Sequence, residues 1–136
     1  MMLLPYAADF PTPPEHATSL DLLAAVPAGD PIVIGPGKRA AIPTGLVVAL
    51  PPGTEGRIWP RTGLAFRHGV AVLNGPVEAD YRGEVQVILI NHGMDPFTVE
   101  RGARIALFVV APVLAFDCDV ADTLDEYTRG IGPFGP

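Results

Sequence analysis

A chain of 136 residues is sized for one domain with its own core. Fifteen glycines and sixteen prolines, about twice the usual combined share, sit in a chain that is still 49% apolar, which excludes both disorder and a bundle of long helices. Nine Lys and Arg against fifteen Asp and Glu leave a net charge of -6, which repels a phosphate backbone and sets duplex nucleic acid aside as a partner.

The apolar stretch from Met1 to Phe10 has no basic segment and is interrupted by Pro5, so it does not read as a signal peptide. From Ile32 to Phe116 short β-prone runs alternate with turns. Ile32 to Ile34 precedes Gly35-Pro36-Gly37, Arg39 to Ile42 follows, and Leu46 to Leu50 runs into Pro51-Pro52-Gly53. Gly56 to Trp59 is the next predicted strand, Leu64 to His68 a single helical turn, and Val70 to Leu73 a further strand. Val85, Val87 and Leu89 alternate with Gln86, Ile88 and Ile90, so both faces of that strand are largely apolar and both need cover, which predicts a central position. Phe97 to Val99, Arg104 to Val110 and Val113 to Asp117 complete an all-β sandwich or barrel.

The longest apolar run, Ile105 to Phe116, is 12 residues with Pro112 inside it, too short to span a bilayer, so no membrane partner is expected. Residues 1–122 form the predicted domain. Residues 123–136, with Asp125, Glu126 and Arg129 ahead of Gly130, Gly132, Pro133, Gly135 and Pro136, read as a mobile C-terminal tail. Cys118 is the only cysteine, which excludes an intrachain disulfide and a cysteine-built zinc site and suits a cytoplasmic location. It lies between Asp117 and Asp119, with no cation to activate a thiolate. His16, His68 and His92 read as surface histidines.

Five polar, glycine-bearing clusters interrupt the apolar rhythm: Thr18 to Asp21, Arg61-Thr62-Gly63, Asn74 to Gly83, Arg101 to Arg104, and Arg129 to Gly135. Singly, each has a structural explanation in turn geometry or solvated charge. In order and spacing, the five resemble the five motifs of the trimeric dUTPase family. The most specific stretches are Gly56-Arg57-Ile58-Trp59-Pro60-Arg61-Thr62-Gly63-Leu64-Ala65, Ala79-Asp80-Tyr81-Arg82-Gly83-Glu84-Val85 and Arg101-Gly102-Ala103-Arg104-Ile105-Ala106.

The resemblance implies a distorted β-barrel or jelly-roll and a homotrimer whose sites are each built from three subunits and closed by the tail. It also implies Mg2+ on a nucleoside triphosphate, arginines that clamp the phosphates, and a carboxylate that activates water against the α-phosphorus. In the first motif Asp21 stands where the family holds magnesium through water; capping a turn is the other reading. The second motif supplies Arg61, Thr62 in place of the usual Ser, and Gly63 as phosphate contacts, with Arg61 alternatively a structural ion-pair partner.

The third motif departs most, because two residues are missing between Asn74 and the acid relative to related sequences. That acid is Glu78 where the family has Asp. The resemblance makes Glu78 the catalytic base, Asn74 and Tyr81 substrate contacts, and the stretch a β-hairpin that reads uracil; an exposed turn glutamate and a partly buried strand tyrosine are the structural alternatives. Arg104 keeps the fourth motif, while the expected glutamine is Leu107. In the fifth, Arg129 and Phe134 stand for the γ-phosphate arginine and the base-stacking phenylalanine, and Pro133 removes a backbone donor. Three readings remain open: hydrolysis of dUTP, hydrolysis of another nucleotide through an altered base pocket, and a non-catalytic trimer that binds a ligand or protein through the same cleft.

Overall fold

The computed structural model describes residues 1–124, and Arg129 and Phe134 lie outside them. The described residues build β1 (Met2–Leu3), β2 (Leu20–Leu23), β3 (Ile32–Ile34), β4 (Arg39–Val47) and β5 (Thr54–Pro60). The helix α1 (Thr62–His68) follows, then β6 (Val70–Val72), β7 (Val77–Glu78), β8 (Glu84–Asn91), β9 (Phe97–Val99) and β10 (Arg104–Pro112). Two four-stranded sheets, ordered β1-β4-β8-β6 and β2-β10-β5-β7, enclose the core, and β3 pairs with β9 beside them. Every pairing is antiparallel. Among the described residues no helix is long and apolar enough to cross a membrane.

The alternation of β8 is resolved as the sequence predicts. Val85, Val87 and Leu89 point into the core with Leu22, Ile42, Ile105 and Phe108, and β8 lies between β4 and β6. On its other face Gln86 is exposed and Ile88 and Ile90 are half-buried, so that face is only partly covered by this chain.

Three differences from the predicted elements have local causes. Arg39 to Ile42 and the start of Leu46 to Leu50 form one strand, because a bulge between Pro43 and Leu46 carries the pairing with β8 across the gap. Gly45 sits at that bulge with φ +67, and a Cβ there would come within 2.3 Å of the Ala7 Cβ. Short strands β1 and β2 are absent from the predicted elements, since two to four residues show too little alternation to be read, and β7 lies in the stretch that only the family resemblance makes a hairpin. Val113 to Asp117 is not a strand. Pro112 already pairs with Thr54, the first residue of β5, and a single further bond from Val113 N–H to Gly53 O (2.9 Å) ends the pairing; Leu114 and Phe116 are left 92% and 81% exposed.

Two polar devices fix the ends of the sandwich. Buried Asn91 donates from Nδ2 to the carbonyls of Ile34 (2.9 Å) and Asp95 (2.8 Å) and accepts from Gly93 N–H (2.8 Å), which satisfies its amide. Arg101 holds the N-terminal segment, donating to Tyr6 O (2.7 Å), Val26 O (3.2 Å) and Asp9 Oδ1 (2.6 Å), with its guanidinium 4.8 Å from the Phe10 ring centre. Tyr6 in turn donates its hydroxyl to Glu84, which also accepts from Gly45 N–H at 2.8 Å. Partial burial first, then the hydrogen bond to Glu84 and its negative charge, push the Tyr6 phenol up to about 12.

Candidate functional site

The strand register places Asp21 of β2, Leu107 of β10 and Trp59 of β5 directly opposite one another in one row, so their side chains share the outer face of the second sheet. Two residues beyond Trp59 the chain leaves β5 at Arg61, whose carbonyl accepts the Ala65 N–H at 3.1 Å and so opens α1. Arg61 Nη1 lies 2.5 Å from Asp21 Oδ1, and Arg104 Nε lies 3.6 Å from Asp21 Oδ2. The fold thus gathers Asp21, Arg61, Thr62, Gly63 and Arg104 at one end of the sheet. A cavity of ≈ 480 Å³ there is lined by Asp21, Arg61, Thr62, Gly63, Arg67 and Leu107. Its chemistry is that of an anion site: guanidinium groups and a hydroxyl, with a single carboxylate that neutralises Arg61.

A second cavity, ≈ 400 Å³, opens under the hairpin that carries β7, with Asn74, Glu78, Tyr81, Glu84, Gln86 and Ile88 on its walls. Asn74 spends its amide on β8. Nδ2 donates to Gln86 O at 2.9 Å and Oδ1 accepts from Ile88 N–H at 2.8 Å, so the side chain holds the hairpin base like an added strand residue. Tyr81 is half-exposed; its N–H donates to Glu78 O (3.1 Å) and its hydroxyl to Glu84 O (3.0 Å). Arg82 donates to the carbonyls of Ala79 (2.7 Å) and Tyr81 (3.1 Å) and closes the turn. The exposed Glu78 carboxylate has no hydrogen-bond or ion-pair partner among the described residues. An apolar cavity with a half-exposed aromatic ring and a free carboxylate suits a nucleoside-sized ligand.

The two groups are separated by the length of β5. Glu78 pairs with Glu55 near its start, and Arg61 follows its end, six residues away; at about 3.3 Å per residue that is roughly 20 Å. One chain does not bring Glu78 to Arg61. Sequence reasoning missed Arg67, which lines the anion cavity, and Glu84 and Gln86, which line the second. Arg67 was within reach of the sequence, because it falls four residues after Gly63 on a predicted helical turn.

Among the described residues no group of three His, Cys, Asp or Glu side chains is placed to hold a metal. Asp21 already accepts from Arg61 and faces Arg104. This donor set fits a magnesium ion carried on phosphate oxygens and water, with Asp21 as its outer protein partner, rather than an ion caged by the protein.

A family model described as dUTPase matches residues 6–136. Among solved structures, a variant of the dUTPase of Staphylococcus bacteriophage 80alpha superposes with a TM-score of 0.79 at 18% identity, over 96% of this chain and 92% of that one. The 80alpha dUTPase with dUpNHpp gives 0.78 at 18% identity, over 96% and 91%. A variant of the dUTPase from phage phi11 of S. aureus, described with a structural Mg(II) ion, gives 0.76 at 16% identity, over 90% and 95%. At these identities the solved structures share the fold with this chain.

Proposed function

The chain belongs to the dUTPase family, and from that premise we propose that it hydrolyses dUTP or a related nucleoside triphosphate to the monophosphate and pyrophosphate, in sites assembled between the copies of a homotrimer. The observation that carries this reading is the separation of the two groups along β5; in the proposed assembly the anion cavity of one copy meets the Glu78 hairpin of another. Two further features favour self-association. The outer face of β8 leaves Ile88 and Ile90 half-buried, and the segment after β10 exposes Leu114 and Phe116.

In this reading Arg61 and Arg104 attract the polyphosphate, Asp21 orients Arg61, and Thr62 and Gly63 offer a hydroxyl and a backbone N–H to phosphate oxygens. Magnesium on the phosphates would supply further neutralisation of the charge that develops on them. Tyr81 packs against the sugar, and Asn74 keeps the hairpin in register. Glu78 takes the proton of the attacking water as a P–O bond forms at the α-phosphorus and the bond to the bridging oxygen breaks, with the electron pair leaving on pyrophosphate. Arg129 and Phe134 complete the phosphate and base contacts from the tail. The protein acts in the cytoplasm, the compartment that its single exposed cysteine suits.

The test is a pyrophosphate-release assay with magnesium across dUTP, dCTP, dTTP, dATP and the ribonucleotides. Release from at least one, lost when magnesium is chelated, is the expected result. No release from any, with binding of the same nucleotides retained, would leave the non-catalytic binding trimer in its place.

A further inference from the structure

The charges around the anion cavity do not divide evenly. Arg61 is neutralised by Asp21 at 2.5 Å, and Arg104, whose side chain is largely exposed, faces the same carboxylate at 3.6 Å. Arg67, which also lines the cavity, has no ion pair or hydrogen bond among the described residues. Arg67 is exposed, and its guanidinium folds back along α1 toward Gly63: a Cβ added there would lie 2.8 Å from Arg67 Nη2. The glycine therefore leaves room for the arginine head against the cavity wall, one helical turn before its own Cα.

We propose that Arg67 is a polyphosphate-binding residue of this cavity, supplying the uncompensated positive charge that Arg61, already paired with Asp21, does not. The ligand chemistry is a linear polyphosphate, free or as the tail of a nucleotide. The inference rests on the reading of the cavity as the triphosphate site and adds a residue to it. A planar guanidinium with parallel N–H donors matches adjacent phosphate oxygens in a way that an ammonium does not. Gly63 acquires a second role from this placement, as the position whose missing side chain gives Arg67 access.

Calorimetric titration of the full chain with inorganic tripolyphosphate, and separately with dUpNHpp, at fixed magnesium and two salt concentrations, tests the assignment. Arg67→Gln is expected to weaken both ligands by about tenfold or more and to flatten the salt dependence. Arg67→Lys should recover part of the affinity, and Gly63→Ala should weaken binding in the same sense by displacing the guanidinium. Arg39→Gln, an equal loss of charge at an exposed position on the other sheet, should bind as the unsubstituted chain does. Binding by Arg67→Gln that matches the unsubstituted chain, while Arg61→Gln loses it, would overturn the role of Arg67 and leave the triphosphate cavity standing. Failure of the unsubstituted chain to bind either ligand would overturn both.

Discussion

Glu78 and Tyr6 lead to tests of two kinds, one of chemistry and one of stability. Glu78 is exposed and unpartnered among the described residues, so its removal disturbs little structure, and its effect on rate reports chemistry. Glu78→Gln is expected to lower turnover by about 10²-fold with nucleotide binding nearly unchanged, measured as kcat beside a titrated Kd. Equal turnover would reject Glu78 as the base. Tyr6 is a stability group. Its phenol is raised to about 12 in the folded chain from about 10 when unfolded, so the neutral form is the one the fold favours. Stability from this group is fully present below pH 10 and is lost as pH rises through 12. Urea midpoints at pH 9 and pH 11.5 should therefore fall more for the unsubstituted protein than for Tyr6→Phe, which has no proton to lose.

At the level of elements, the hairpin and the turn behind α1 lead to different kinds of test. Gly93 lies where the β8–β9 turn crosses the end of α1, and a Cβ there would sit 2.3 Å from the His68 carbonyl oxygen. Gly93→Ala should cost about 2–4 kcal/mol through backbone displacement, read from the denaturant midpoint at constant m. The altered base pocket proposed for this chain, a hairpin two residues short of the family motif between Asn74 and Glu78, would leave fewer backbone donors and acceptors to read a base edge. Competition titration should show a preference for dUTP over dCTP, dTTP and dATP of less than about a hundredfold, or about 2.7 kcal/mol; a larger ratio would show that the shortened loop still reads uracil. These elements were unevenly legible in the sequence. The long strand β8 announces itself through Val85, Val87 and Leu89, and the order of the polar clusters carries the family. What escapes is set by contacts across the chain: the Gly45 bulge depends on Ala7, the pairing of Asn74 on β8, and the end of β10 on where β5 begins. Arg67 is legible in part: helical spacing sets it beside Gly63, but which arginine Asp21 neutralises is a distance that spacing along the chain does not encode.

For the molecule as a whole, the half-covered outer face of β8 and the exposed Leu114 and Phe116 predict an assembly rather than a lone chain. Sedimentation at micromolar concentration should give a species near three chain masses, and replacing both Leu114 and Phe116 with serine should shift it toward the single chain. A stable monomer of the unsubstituted protein would remove the shared-site reading. The Arg101 clasp has a consequence in time rather than in energy. The bond from Arg101 to Asp9 joins positions 92 residues apart, and Tyr6 waits for Glu84, 78 residues on. At a synthesis rate of about 5–20 residues per second, Leu3 can meet its partner Leu46 after roughly 2–9 s, whereas the Arg101 clasp on Asp9 closes only roughly 5–18 s after Asp9 is made. The segment therefore docks in two stages, its strand on β4 first and its clasp to Arg101 last.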